Sequence, residues 1–365
     1  MKILFYRNKL NRGGIGRNMT NLANMFARDN EVVFVTLREL ANEYLLNENV
    51  KRYNMTKRKK SPFLFADIFF FLQMSIKIRK ILKKEKPAII ITFFQLDSLF
   101  VFFAKAFLGI PQIVSIRSDP YVELSKIYNK ILYKSLYSLV DGCVFQTEAA
   151  KAFFSPKIQK KSAILNNLIS THLFDTIAVS ERKDIVGVGR LVPGKAWDIA
   201  INAFSLIADK TEVKFFIYGE GDEQDYLNEY IGKLGLADRV FLAGTTDNIL
   251  EIVAGAKLFL FASEHEGLPN SIIEALIVGT PCVSTRFSGG GAENLIESGA
   301  NGILVPVGDY EAMAEAMLKI LNDDDYARQL GQNAKEKART EYDPERIFKE
   351  WEDYVIYVAG SRGTP

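Results

Sequence analysis

The chain has 365 residues, 48% hydrophobic and 25% charged, ordinary globular values that allow two domains. Two cysteines, Cys143 and Cys282, argue against a disulfide framework and fit a reducing compartment. The net charge of +2 hides an imbalance: residues 1–180 carry 28 Lys and Arg against 13 Asp and Glu, whereas residues 181–365 carry 18 against 31. Such asymmetry points to one half facing an anionic surface, or to two halves attracting each other.

Met1-Lys-Ile-Leu-Phe-Tyr6 lacks the apolar stretch and cleavage site of a secretory leader and reads as a first strand. A glycine-rich turn, Asn11-Arg-Gly-Gly-Ile-Gly-Arg17, then opens a helix over Asn18 to Arg28, with Met19, Leu22, Ala23 and Phe26 inward. Gly13 and Gly14 suit either a close approach of backbone to phosphate or a tight strand-to-helix turn. Glu31 to Leu37 is a second strand. Six basic residues crowd Lys51 to Lys60, followed by Phe63, Phe65, Phe69, Phe70 and Phe71 and by Lys77, Arg79, Lys80, Lys83 and Lys84. Basic clusters beside aromatic rings suit the interface of an anionic bilayer, and some of these rings belong to the core. No nucleic-acid-binding motif accompanies the charges, so nucleic acid is not expected as a partner. The apolar runs Phe63–Ile76 and Leu99–Ile110, broken by Asp67 and Lys105, are too short to span a membrane.

Ala88–Thr92 and Pro111–Ile116 are strand-like, the second leading into Arg117-Ser-Asp-Pro120, where Asp119 can take a proton from an incoming hydroxyl or orient Arg117. Val140–Gln146 is a further strand. Ile185–Leu191 begins a second α/β domain and runs into Gly189-Arg-Leu-Val-Pro-Gly-Lys195. Lys214–Tyr218 ends in Gly219-Glu-Gly-Asp222, and Arg239–Ala243 ends in Gly244-Thr-Thr-Asp-Asn248. Ser288-Gly-Gly-Gly-Ala-Glu293 is another glycine-rich turn, with Glu293 placed to cap the helix or to touch ligand. A helix from about Glu311 to Leu321 precedes Asp323-Asp-Asp325. A terminal helix, Ile347–Val358, presents Trp351, Tyr354 and Val355 on one face, and Ser361–Pro365 reads as a tail.

The densest signal lies at Ser263–Ala275, SEHEGLPNSIIEA. Lys257–Ala262 before it is apolar on both faces, as in a buried parallel strand. Gly267 and Pro269 break the strand, and Ile272, Ile273, Leu276 and Ile277 follow at helical spacing. Such a turn sits where open α/β sheets bind ligands. Glu266 and Glu274 can then point at one cleft, with the amides of about Leu268 to Ser271 between them as helix-start donors for an anion. Carboxylates for hydroxyls and amides for phosphate describe a nucleotide-sugar site. The alternative is a capping box over Ser271–Glu274 with Glu266 solvated.

The pattern E-G-L-P-x-x-x-x-E-A resembles the signature of retaining GT-B glycosyltransferases, more narrowly family 4 with its lipid-acceptor enzymes. The resemblance implies two Rossmann-like domains facing a cleft: 1–175, the acceptor and membrane side, joined by a terminal helix at about 345–359 that crosses back, and 176–344, the nucleotide-sugar side. Ala163-Ile-Leu-Asn166-Asn167 resembles the exit from the first domain, with a hinge at 168–183. By resemblance Glu266 contacts the donor sugar and Glu274 the ribose, with Gly267, Leu268, Pro269 and Asn270 lining the donor site. Arg190 and Lys195 grip the diphosphate, although Ala196 stands where the family usually has glycine. Gly219 and Thr245 border the base, Gly290 lies near the diphosphate and sugar, and Gly13 and Gly14 border the cleft opposite. Arg117 and Asp119 occupy the region where many members have a histidine beside the reacting sugar. Asp323–Asp325 has the spacing of metal-dependent GT-A enzymes but follows a helix, and is read as a solvated helix start. No metal or other cofactor is expected. The reaction implied is transfer of a hexose or N-acetylhexosamine from a nucleoside diphosphate sugar, UDP-linked, to a polyprenyl-diphosphate-linked glycan at the cytoplasmic face of the plasma membrane. A nucleotide-sugar 2-epimerase and a non-catalytic nucleotide-sugar-binding module are the alternatives.

Overall fold

The structure, a computed structural model, describes residues 1–10, 13–40, 43–55, 64–93, 95–169 and 182–361, with backbone alone at 64–69. Asn11, Arg12, the basic stretch Lys57–Lys60, Phe63, most of the expected hinge and the last four residues lie outside the described residues, as do the side chains of Phe65 and Phe69. Two compact units are present, Met1–Leu168 with Pro344–Pro365, and Ile169–Asp343. Among the described residues no helix is long and apolar enough to cross a membrane.

The first unit holds seven strands: β1 (Lys2–Arg7), β2 (Glu31–Thr36), β3 (Lys51–Asn54), β4 (Ile89–Thr92), β5 (Gln112–Ser115), β6 (Gly142–Phe145) and β7 (Ser162–Ile164). The second holds β8 (Lys183–Val188), β9 (Phe215–Tyr218), β10 (Val240–Gly244), β11 (Ala256–Phe261), β12 (Cys282–Thr285) and β13 (Ile303–Val305). The sheet orders are β3-β2-β1-β4-β5-β6-β7 and β10-β9-β8-β11-β12-β13, and neighbouring strands pair in parallel. Each order reverses at its first strand, which opens a crevice beyond the strand ends at β1/β4 and at β8/β11. Both expected Rossmann-like sheets are thus present.

Apolar runs such as Ile89-Ile-Ile-Thr92 are buried on both faces, which only helices on both sides of a parallel sheet achieve. Leu4 and Tyr6 of β1 face one way, into a cluster with Met74, Ile78 and Leu82 of helix Leu64–Glu85 and Phe100 and Val101 of helix Gln95–Ala104. Phe5 faces the other way, onto Phe26 of helix Gly14–Phe26, and Phe26 meets Phe348 of the terminal helix Pro344–Gly360. Strands β3 and β13 have no counterpart in the sequence reading. Lys51-Arg-Tyr-Asn54 is a half-exposed edge strand with no apolar run, and β13 is three residues long.

The terminal helix is keyed into the first unit by two side chains. Trp351 is fully buried, stacks on Phe93 at 5.8 Å and donates from Nε1 to the Asn166 carbonyl (3.3 Å). The Tyr354 hydroxyl accepts from the Cys143 amide (3.0 Å) and donates to the Lys161 carbonyl (2.6 Å), reaching β6 beside Gly142. A Cβ on Gly142 would stand 2.8 Å from that oxygen. Tyr354→Phe leaves the Cys143 amide and Lys161 carbonyl without this partner, so urea unfolding should show a loss of about 1–2 kcal/mol; an unchanged midpoint would show that water replaces the hydroxyl at no cost.

Candidate functional site

In the second unit the loop after β8 is shaped by the residues beneath it. Gly187 leaves room for the Trp197 indole, which would lie 2.6 Å from a Cβ there, and Trp197 Nε1 donates to the Arg190 carbonyl (3.0 Å). Pro193–Lys195 forms a single 3₁₀ turn closed by Ala196 at φ 48°, ψ 46°. Left-handed backbone is what glycine supplies there, and alanine carries a strain of about 1–2 kcal/mol. From the other side, Cβ atoms on Gly219 and Gly221 would stand 1.9 Å from the Gly189 oxygen and 2.1 Å from the Leu191 oxygen. Gly219 is therefore a spacer that lets the loop after β9 lie directly on the Arg190 loop. Thr245, after β10, donates to Glu220 (3.3 Å).

The turn after β11 is stitched to the same loop. Glu264 N donates to the Gly194 carbonyl (3.1 Å), and the His265 ring lies against Gly194, its Cε1 2.9 Å from a built Cβ. Lys195 Nζ is ion-paired with Glu266 Oε1 and lies 4.9 Å from the Phe261 ring centroid. Ser288 N approaches the Glu264 carbonyl (3.4 Å), and a Cβ on Gly291 would stand 1.9 Å from the Gly267 oxygen. Gly290, at φ 75°, is the N-cap of helix Gly291–Leu295, and Glu293 pairs with Arg286 at 3.2 Å. Leu268 and Pro269 are buried.

Helix Asn270–Val278 begins after Pro269, which is extended and provides no side-chain cap. Ser271 is its second residue, so the Ser271–Glu274 capping box does not form. Ile273 N makes the first bond of the helical ladder, to the Pro269 carbonyl (3.4 Å), so the ladder itself offers no partner to the amides ahead of it. Glu274 lies just beyond the first turn of the helix and is 3% exposed; a carboxylate so enclosed requires polar partners. Arg190, by contrast, is exposed and forms no ion pair among the described residues. Asp323 caps helix Asp324–Glu341 through the Tyr326 amide (2.9 Å), and Asp325 pairs with Arg328. Among the described residues no group of three or more His, Cys, Asp or Glu side chains is placed to hold a metal.

The remaining site residues belong to the first unit. Gly13 (φ 148°) is the N-cap of helix Gly14–Phe26, and its amide donates weakly to the Tyr44 hydroxyl (3.4 Å). Asp119 is 2% exposed and caps the short helix Pro120–Glu123, accepting from the Tyr121 amide (2.8 Å). Arg117 is enclosed at 8% exposure. It donates from Nη1 to the Leu165 carbonyl (3.2 Å) and Asn167 Oδ1 (3.1 Å), with its guanidinium 4.8 Å from the Phe93 ring and 5.1 Å from that of Trp351. Burial lowers its pKa. Elsewhere in the first unit Asp97 is fully buried against Arg7 (3.1 Å), and burial raises its carboxyl to about 6.

Arg190, Lys195, Gly219, Glu266–Asn270 and Gly290 are thus assembled at the carboxyl ends of one sheet, Lys195 and Glu266 in direct contact. Sequence reasoning missed Gly187 and Trp197, and it marked the turn that holds Gly291 without seeing its contact with Gly267. A glycine inside an apolar strand, as in Ile185-Val-Gly-Val188, is a signal for close packing that could have found the first two.

Comparison with known proteins follows this geometry. The family model described as "Glycosyltransferase Family 4" matches residues 12–172, and that described as "Glycosyl transferases group 1" matches residues 170–337. The chain is 26% identical over 357 residues to the Campylobacter jejuni GalNAc-alpha-(1->4)-GalNAc-alpha-(1->3)-diNAcBac-PP-undecaprenol alpha-1,4-N-acetyl-D-galactosaminyltransferase, covering 96% of this chain and 97% of that one. Among solved structures it is similar to Anabaena Alr3699/HepE in complex with UDP and glucose, with a TM-score of 0.83 at 20% identity over 97% of this chain and 98% of that one. It is also similar to a mutant of S. aureus TarM in complex with Fondaparinux, alpha-GlcNAc-glycerol and UDP, with a TM-score of 0.79 at 18% identity over 97% and 99%. The two structural likenesses establish the fold.

Gly291→Ala should push the Gly267 carbonyl and the Glu266 turn out of place and destabilise the second unit by about 1–3 kcal/mol, read as a lower urea midpoint. An unaltered midpoint would mean that the two turns have room to part.

Proposed function

We propose that the chain, which has the GT-B fold and is similar to family 4 glycosyltransferases, transfers a hexose or N-acetylhexosamine from a UDP-sugar to a polyprenyl-diphosphate-linked glycan, with retention and without a metal. The observation that carries this reading is the Lys195–Glu266 ion pair, held beside the exposed Arg190 at the end of the second sheet. Two cations and a carboxylate at one strand-end crevice fit a diphosphate joined to a sugar. The full-length relative is named for an undecaprenol-diphosphate glycan, and two structural neighbours carry UDP.

In this reading Arg190 and Lys195 take the diphosphate, and Lys195 exchanges part of its contact with Glu266 for phosphate oxygen. Glu266 is then released to a sugar hydroxyl, while Glu274 holds the ribose. The bond from the anomeric carbon to the phosphate oxygen breaks as positive side chains stabilise the charge growing on that oxygen. The acceptor hydroxyl forms its bond on the same face, and its proton passes to the departing phosphate. The protein supplies orientation and charge, and no side chain is needed as base. Asp119, occupied as a cap, and Arg117, enclosed between rings, support the acceptor side by holding backbone in place. The first unit faces the acceptor and an anionic membrane, on the inner face of the plasma membrane, as its charge balance favours.

Arg190→Ala or Lys195→Ala should each lower kcat/KM by about 2–4 kcal/mol of transition-state stabilisation in a UDP-sugar assay. Glu266→Ala should fold and lose most transfer; near-wild-type turnover would remove it from the donor site. Activity should persist in EDTA, and NMR of the product should show the donor's anomeric configuration. A strict requirement for Mg²⁺ or Mn²⁺, or an inverted product, would overturn the mechanism. UDP-sugar incubated without acceptor reveals an epimerase by its 2-epimer, and tight donor binding without turnover in the presence of lipid-linked glycan reveals a binding module.

A further inference from the structure

We propose that the outer surface of helices Leu64–Glu85, Gln95–Ala104 and Ile127–Leu139 is the face by which the first unit docks on an anionic bilayer. This rests on the lipid-linked acceptor proposed above and names the surface. The sequence placed the membrane contact on the run from Lys51 to Lys84. In the structure Phe70 and Phe71 are half-buried and pack into the core beneath, with Phe71 4.5 Å from Phe100. Leu72 and Ile76 of the same helix are exposed, and further exposed apolar groups lie on the helices that follow.

On helix Ile127–Leu139 the positions Ile127, Tyr128, Ile131 and Leu132 form one stripe, and the first three are 67%, 61% and 62% exposed. Leu136 and Tyr137, on the opposite side, bury into the core, so the helix is amphipathic with its second apolar face outward. Helix Gln95–Ala104, which touches this helix, carries the exposed Phe103, and Phe107 just beyond is fully exposed. All three helices cover the same face of the sheet, the one bearing Tyr6, Ile90, Val114 and Cys143. Among the described residues of the second unit the most exposed large apolar group, Tyr226, reaches 49% and has no such company.

The charges name the occupant. Among described side chains between residues 70 and 140 no carboxylate is exposed: Glu85, Asp97 and Asp119 are buried and Glu123 half-buried. The exposed charges on the three helices and their ends include Lys77, Lys80, Lys83 and Lys84, with Lys126 and Lys130 beside the apolar stripe. Apolar groups rimmed only by cations match acyl chains beneath anionic headgroups. A second copy of the same surface would set lysines against lysines.

The test is vesicle sedimentation with phosphatidylcholine alone and with added phosphatidylglycerol. The wild-type protein should bind the anionic vesicles, and less so as salt rises. The variant Ile127→Ser, Tyr128→Ser, Ile131→Ser, Leu132→Ser should bind at least about tenfold more weakly while hydrolysing UDP-sugar as the wild type does. Tyr128→Trp should shift its emission to the blue when anionic vesicles are added. Binding by the fourfold variant equal to wild type overturns this surface and leaves the membrane reading standing. Absence of wild-type binding overturns both. A dimer that the fourfold variant dissolves, without vesicle binding, assigns the face to a second copy. Vesicle binding without transfer to an added lipid-linked glycan would fault the proposed reaction and support this surface.

Discussion

A carbonyl oxygen and a Cβ atom cannot occupy the same space, and in the second unit the loops at the strand ends lie closer together than a Cβ permits. Gly219 and Gly221 rest on the backbone of Gly189 and Leu191, and Gly291 rests on Gly267. The loops bearing Arg190, Lys195 and Glu266 are thereby stacked as backbone on backbone, with Trp197 wedged below against Gly187. Side chains anchored this way are positioned before any substrate arrives, which is where orientation gives its advantage.

The first unit reaches order at its strand ends through buried polarity. Asn167 Oδ1 accepts from Asn18, from Gln146 (2.8 Å) and from Arg117 (3.1 Å), gathering helix Gly14–Phe26 and the ends of β5 and β6 onto the segment after β7. An enclosed guanidinium is costly. Here two oxygen acceptors and the faces of Phe93 and Trp351 offset part of that cost.

Much of this was legible in the chain. Apolar runs with turn residues marked most of the strands of both sheets, and the spacing of Glu266 and Glu274 about Pro269 marked the turn. What was hidden has a common cause, since a sequence shows residue types and not who lies beneath them. Arg117 and Asp119 read as cleft residues from their place after a strand end and from the resemblance, which do not show that the fold encloses both. The phenylalanines at 70 and 71 look like membrane anchors until helix Gln95–Ala104 is packed on them, whereas Ile127 and Ile131 look like core until no element covers them. Strand β3 was masked by its own lysine and arginine, because an edge strand need not be apolar.

The first unit is closed by the helix Pro344–Gly360, yet Ile169–Asp343 intervenes in the chain. A ribosome adding roughly 5–20 residues per second spends about 10–35 s on that intervening stretch. Throughout that interval the seats of Trp351 and Tyr354, including the Phe93 ring and the Cys143 amide, have no occupant. The second unit, made of one uninterrupted segment, has its whole sequence available before the first unit can complete its own. The nascent first unit therefore waits with those seats open until its last element is made.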